Sequence, residues 1–366
     1  MKVLQVIEAL TRGGAERLVF ELSKELTRRG AECRILCLSA PGTWAEAARG
    51  EGLYAGCIGK SQGVDFAALR RLKRRIEELS PDVVQSHLFT ANLWTRLAAL
   101  PSRRWRLIAT LHDIDLWRGP VHWTADLVLA GVADRYVCVS AAVRDYYRSH
   151  GIGELRLRTI PNGISWNGAK CSVPFEREVP VVRACGRLVP KKGFIFLVGA
   201  AAILRAKGLR FRVEIVGEGP EEASLREAIE ARGLEGQVVL LGARDDAREL
   251  IADADAFVLP SLREGLPLVI LEALHAGRPV VATNIAALAG VVHDGQEALM
   301  VRPGSAESLA EGIERLLADP VGARCLGRIG RARAQQDFTM SRMASSYMDL
   351  YNELVPEKRH DLHPVP

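Results

Sequence analysis

The feature that most constrains this 366-residue chain is an alternation, carried twice along its length, of short apolar runs with longer amphipathic stretches. In the first half the runs are KVLQVIE, CRILCLS, DVVQSHL, RLIATLH, RYVCVS and LRTIPN. They are near-continuous rather than alternating, the pattern of strands buried on both faces of a parallel sheet. Helical stretches such as Ala15 to Arg29 and Ala67 to Leu79 lie between them. The pattern lapses in SWNGAKCSVPFERE and restarts with VPVVRACG, FRVEIVG, QVVLLG, AFVLPS, PVVATN and ALMV. Strand–helix alternation of this kind predicts an α/β doubly wound fold. Two successive halves predict two Rossmann-like doubly wound domains facing each other across a cleft, at residues 1–168 and 179–336 with a linker at 169–178. A further amphipathic helix is expected at 337–355, with Met343, Tyr347, Leu350 and Tyr351 on one face. A flexible tail follows at 356–366.

Composition narrows the class. Apolar residues at 48% and charged residues at 25% are ordinary for a soluble enzyme. The opening MKVLQVIEAL is too briefly apolar for a secretory signal and contains Glu8. The apolar run in KKGFIFLVGAAAILRAK is far shorter than the roughly 20 residues needed to span a bilayer, so a helix buried against a sheet is expected there. Seven cysteines without a CxxC pair point to free thiols in a reducing compartment, hence a cytoplasmic protein. The net charge of +5 is concentrated in the first half, at RRLKRRIEEL and PSRRWRL, the latter carrying Trp105. One reading is a solvated helix face and a charged loop. The other is a surface for anionic lipid headgroups or a phosphorylated acceptor, a peripheral contact at the inner face of the membrane. Nucleic acid is not expected as a partner, because no recognition motif accompanies the charge.

The chemistry-bearing stretch is SLREGLPLVILEALHAGRPVVAT, residues 261 to 283, where Glu264 and Glu272 stand in a sequence that otherwise resembles core. Buried carboxylates need partners. Pro267 suits the first position of a helix that stops at Gly277. Gly265 stands ahead of that helix, and the first amides of Leu268 and Val269 would face an anion with the positive end of the dipole. Glu264 lies on the loop after AFVLPS, at the strand ends where doubly wound sheets bind ligands. In CGRLVPKKGF, Arg187 follows a strand and Lys192 precedes a helix, so two cations and a helix N-terminus can neutralise a diphosphate without metal. In TRGGAER, Gly13 and Gly14 follow the first strand and allow close backbone approach to a phosphate or sugar.

Together these segments resemble the retaining glycosyltransferases of the GT-B fold, family 4, also called group 1. EGLPLVILE is similar to that family's E-x7-E motif and GRLVPKKG to its diphosphate clamp. GEGPEEASL, RGGAER, TLHD, VCVSAAVRDYY and IPNGI are similar to other family segments. The resemblance implies that Arg187 and Lys192 hold the donor diphosphate and that Glu272 takes the ribose hydroxyls. It implies that Glu264 contacts the transferred sugar, that His112 lies near sugar and acceptor, and that Gly14 is backbone-close to the phosphates. The implied enzyme is a metal-independent hexosyltransferase with no cofactor, the nucleoside-diphosphate sugar being a substrate. UDP-sugar is the commonest donor of the family, and a glycan or lipid-linked hydroxyl the acceptor, as in polysaccharide biosynthesis. His275 and Ser165 depart from the family pattern.

Other readings have less behind them. Glu272 to His275 has the E-x-x-H spacing of di-iron bundles, but its only counterpart is Glu357 to His360. Asp113 with Asp115, and Asp253 with Asp255, match the DxD of metal-dependent transferases. GEGPEE lacks the third glycine of a dinucleotide loop. The stronger alternatives are a GT-B relative that cleaves or epimerises a nucleotide sugar, and an inactive donor-binding partner protein.

Overall fold

The computed structural model describes residues 1–166 and 171–355. The expected tail at 356–366 and the first two residues of the expected linker lie outside the described residues. The chain divides into two compact units: Met1–Pro161 together with the chain from Met340 onward, and Asn162–Thr339.

The first unit is built on seven strands: β1 (Lys2–Ala9), β2 (Glu32–Ala40), β3 (Tyr54–Cys57), β4 (Val83–His87), β5 (Arg106–Leu111), β6 (Arg135–Cys138) and β7 (Leu157–Thr159). They pair in the order β3-β2-β1-β4-β5-β6-β7, all parallel. The central strands are buried on both faces, as Val3, Leu4, Val6 and Ile7 of β1 and Leu107, Ile108 and Ala109 of β5 show. Every run expected in this half is a strand. β3 was not expected. It is a four-residue edge strand containing Gly56, with one partner to satisfy and little apolar signal.

The second unit repeats the plan with β8 (Val181–Cys185), β9 (Arg212–Val216), β10 (Val238–Gly242), β11 (Ala256–Leu259), β12 (Val280–Thr283) and β13 (Leu299–Val301). The order is β10-β9-β8-β11-β12-β13, again parallel. The helix Phe194–Ala206, which carries the apolar run beginning at Gly193, buries Phe194, Leu197, Val198 and Leu204 in this unit's core. No described helix is long and apolar enough to cross a membrane.

The division falls between Pro161 and Asn162 rather than in the stretch 169–178. The described part of that stretch is tied into the second unit: Phe175 N donates to Asp255 Oδ1 at 2.6 Å, and Arg324 Nη1 donates to Pro174 O at 3.3 Å. Polar composition marked it as a connector, but its backbone has fixed partners.

The C-terminal helix Met340–Leu354 belongs to the first unit and packs on the helix Gly14–Arg28. Met343, Tyr347, Leu350 and Tyr351 are buried, the face marked out by their spacing. Arg29 donates to Ser341 O and Ser345 Oγ, and Arg106 donates to Leu354 O.

The basic stretches are largely spent within this unit. From the helix Phe66–Leu79, Arg71 donates to Ile58 O and Gly59 O, Lys73 to Leu100 O and Arg75 to Ala55 O. Arg103 and Arg106 pair with Asp134. Trp105 is buried, with the Arg103 guanidinium 5.7 Å from its ring centroid. It therefore adds no exposed aromatic ring to the basic stretches.

Candidate active site

In the second unit the strand order reverses direction between β8 and β11, the place where open α/β sheets bind ligands. The loops leaving these two strands carry Arg187, Lys192 and Glu264, and the helix that follows the second loop carries Glu272. The first loop is fixed from the side by the loop after β9. Leu188 N donates to Glu218 O at 2.9 Å, and a Cβ on Gly217 would sit 1.9 Å from Gly186 O. A Cβ on Gly219 would sit 2.4 Å from Leu188 O. These glycines are required for backbone-to-backbone contact, which accounts for GEGPEE without a dinucleotide.

Lys192 closes a single helical turn, Pro190–Lys192, and Gly193 follows with φ 66°. A side chain there would be strained, and its Cβ would lie 2.2 Å from Pro260 O at the end of β11. That contact, with Leu262 N donating to Lys191 O at 2.7 Å, draws the two loops together. Lys192 Nζ accordingly donates to Glu264 Oε1 at 2.5 Å. Ser261 Oγ donates to the same oxygen at 2.7 Å, and Thr283 Oγ1 donates to Ser261 O. Glu264 is 5% exposed, and Arg187 is exposed on the adjoining loop.

The helix after this loop is Leu268–His275, one residue later than expected. Pro267 is its N-cap, with extended ψ of 125°, and not its first helical residue. Asn162 Nδ2 donates to Leu266 O at 3.0 Å, holding the chain ahead of Pro267 outside the helix. No side chain caps this end, and Leu268 and Val269 in its first turn are half-buried. Gly265 is buried on the loop just before it.

Glu272 is 6% exposed and is met by Arg248 from the helix Ala247–Ala252, Nε to Oε1 at 2.6 Å. Arg248 Nη1 also donates to Ser165 O at 3.0 Å. Burial pushes the Cys185 thiol at the end of β8 up to about 12, with Glu272 adding to the shift and Lys192 opposing it. His275 does not face this cluster. It is buried, its Nε2 donates to Phe338 O at 3.2 Å, and its ring stacks near Trp166.

In the first unit the reversal lies between β1 and β4. Gly13 is the N-cap of the helix Gly14–Arg28. A Cβ on Gly13 would lie 2.0 Å from Glu16 Oε2, so the space over this helix end is occupied by the chain's own carboxylate. Burial raises the Glu16 pKa, while its own amide and the Thr11 hydroxyl lower it. His112 follows β5 and is half-buried, with Nε2 3.0 Å from Nδ1 of His87. Burial pushes His112 down to about 4, the Asp113 charge opposing, so the ring is neutral near pH 7.

Both DxD pairs are engaged by protein groups. Asp115 accepts from Arg118 and the Tyr147 hydroxyl, Asp253 from Arg177, and Asp255 from the amides of Phe175 and Val181. The structure thus gathers Arg187, Lys192, Glu264, Gly265, Leu268, Val269 and Glu272 at one sheet end. Gly13, Gly14 and His112 lie at the corresponding end of the other unit's sheet. Arg248, Ser261 and His87 were not picked out from the sequence. Ser261 stood at the head of the stretch SLREGLPLV and His87 near the end of the run DVVQSHL, whereas Arg248 carried no signal.

Comparison with known proteins identifies the family and the fold. Residues 179–319 match the family model described as Glycosyl transferases group 1, and residues 12–166 the one described as Glycosyltransferase Family 4. The chain is 27% identical over 362 residues to LpsD of Rhizobium meliloti (strain 1021), a lipopolysaccharide core biosynthesis glycosyltransferase, covering 98% of this chain and 100% of that one. It is 34% identical over 182 residues to LpsE, of the same description and organism, covering 50% and 52%. Among solved structures, Anabaena HepE in complex with UDP and glucose is similar with a TM-score of 0.84 at 21% identity, over 96% of this chain and 100% of that one. The chain belongs to the group 1, family 4 glycosyltransferases and has the two Rossmann-like halves of the GT-B fold. It is a glycosyltransferase.

Proposed function

We propose that this enzyme moves a sugar from a nucleoside-diphosphate sugar, a UDP-sugar first among them, to a hydroxyl of a glycan or lipid-linked acceptor, with retention of configuration. The observation that carries the reading is the Lys192–Glu264 pair beside Arg187 and an uncapped helix start, all at the topological switch of one sheet. A diphosphate offers Lys192 and Arg187 more negative charge than one carboxylate does, and the Leu268 and Val269 amides add the positive end of a helix dipole. Glu264 then turns to hydroxyls of the transferred sugar and Glu272 to those of the ribose. The UDP bound by HepE and the lipopolysaccharide role of LpsD support this choice of donor and acceptor.

Departure of the nucleoside diphosphate and attack by the acceptor hydroxyl take place on the same face, with a donor phosphate oxygen receiving the hydroxyl proton. The protein's largest contribution is stabilisation of charge on the leaving diphosphate. That task falls to Lys192, Arg187 and the helix amides, and transfer is expected to continue in EDTA.

The deciding experiment is thermal unfolding with UDP, GDP and ADP in EDTA, for the wild type and Lys192→Ala. A ligand at about 100 times its dissociation constant adds roughly 2.7 kcal/mol. A shift with one nucleotide that is lost in the variant identifies the base and the clamp. No shift with any nucleotide sinks the reading. Proton NMR of the product's anomeric centre decides retention, and donor binding without transfer would favour a partner protein instead.

A further inference from the structure

His112 is one end of a buried polar chain inside the first unit. His87, 1% exposed at the end of β4, sets Nδ1 against His112 Nε2 at 3.0 Å. On its other edge, His87 Nε2 lies 2.7 Å from Gln5 Oε1. Gln5 Nε2 donates to Gln85 Oε1 at 3.5 Å, and Gln85 Nε2 donates to Thr110 Oγ1 at 2.8 Å. The Tyr351 hydroxyl, from the C-terminal helix, donates to Gln85 Oε1. Gln5, Gln85, His87, Thr110 and Tyr351 are all buried.

The sequence of donors along this chain has a chemical consequence. An amide oxygen has no proton to give, so the His87 nitrogen facing Gln5 must carry one. A neutral imidazole carries a single proton, which leaves Nδ1 of His87 with a lone pair. The contact to His112 then requires a proton on His112 Nε2, and the lone pair of His112 falls on Nδ1. The amide orientations agree with one another. Reversing Gln5 alone would set two oxygens against each other at Gln85.

We propose that His87 is a positioning residue: it holds His112 in the Nε2–H tautomer, so that His112 meets its ligand through Nδ1, as a hydrogen-bond acceptor for a sugar hydroxyl. Gln5, Gln85 and Tyr351 fix this choice from behind. The proposal rests on the reading of His112 as a residue that contacts the sugar. It adds which ring nitrogen does so and what the ligand must offer. Burial keeps both rings neutral near pH 7, His87 well below its ordinary value and His112 at about 4.

The test is long-range proton–nitrogen NMR of the full chain labelled with 15N-histidine, at neutral pH. Both rings should show a protonated Nε2 and an unprotonated Nδ1. A proton on Nδ1 of His112, or a charged ring, overturns the proposal directly and needs no activity assay. The second measurement compares His87→Leu with His87→Asn, whose amide oxygen can stand where Nδ1 stood. Transfer should fall about tenfold to a hundredfold in the leucine variant, the size expected for one unmet buried hydrogen bond, and be largely retained in the asparagine variant. The leucine variant should also return His112 to a mixture of tautomers. An unchanged tautomer and rate in His87→Leu would overturn the positioning role. Wild-type transfer by His112→Ala would instead sink the underlying reading of His112. Lost transfer in that variant combined with an Nδ1–H ring would sink the relay alone.

Discussion

Lys192 and Glu264 are two opposite charges held largely out of water at 2.5 Å, side chains 14% and 7% exposed. A buried pair of this kind adds little net stability, because desolvation offsets the attraction. Its persistence fits a site that must store a cation for a ligand. Lys192→Ala is expected to lower transfer by about 10²–10³, the cost of removing one donor to a developing anion; steady-state rates within threefold of wild type would take Lys192 out of the mechanism. The sequence singled out both residues by motif, but not that they pair with each other. Gly193 has a different duty. Gly193→Ala should cost about 1–3 kcal/mol in denaturant unfolding, since it adds a Cβ at φ 66° against Pro260 O. His87 and His112 make a pH prediction. Both have folded pKa values below the unfolded 6.5, so the unfolded chain binds protons first as pH falls. Their contribution to stability is full above about pH 6.5 and is lost as pH drops toward 4. Asp113 is the charged group that opposes this for His112. Urea midpoints measured from pH 7 to pH 4 should decline in wild type and decline less in the double variant His87→Gln/His112→Gln.

At the scale of elements, strand positions were legible because burial on both faces leaves continuous apolar runs. The same rule explains why β3 was missed: an edge strand of four residues owes its place to pairing with β2 and to arginines reaching over from the helix Phe66–Leu79. Helix ends were legible to within one to three residues, the last helix starting at Met340 rather than 337, and the start at Leu268 differs from expectation because Asn162 holds Leu266 from a distant part of the chain. The E-x7-E spacing put both glutamates on one strand–loop–helix element, but only packing brings Arg248 from another helix onto Glu272. Arg248→Ala should raise the donor KM about tenfold with a smaller change in kcat, the expected cost of a lost charge-assisted hydrogen bond to the carboxylate proposed to hold the donor ribose. Arg248→Lys should recover part of that. An unchanged donor KM in the alanine variant would show that Glu272 needs no help from Arg248.

At the scale of the whole molecule, the basic excess of the first half turns out to be tied mainly to its own backbone and carboxylates, with Trp105 buried among them. Weak or no retention on anionic liposomes at 0.15 M salt is therefore expected of that face, and strong, salt-sensitive retention lost on reversing Arg70 and Arg74 would restore the membrane reading. The sequence by itself determined the two doubly wound halves, the places where strands end, and the residues proposed to meet a diphosphate. Each of these follows from local periodicity or from a motif within a few tens of residues. Tertiary structure alone decided where the chain divides, which cations the carboxylates meet, and which nitrogen of His112 is left with its lone pair. Those depend on side chains far apart in sequence, such as Gln5, His87 and Tyr351, whose meeting is fixed by strand order and by the return of the last helix onto the first sheet. No local pattern encodes such a meeting, because hydrogen-bond partners are selected by what the packed backbone brings within about 3 Å.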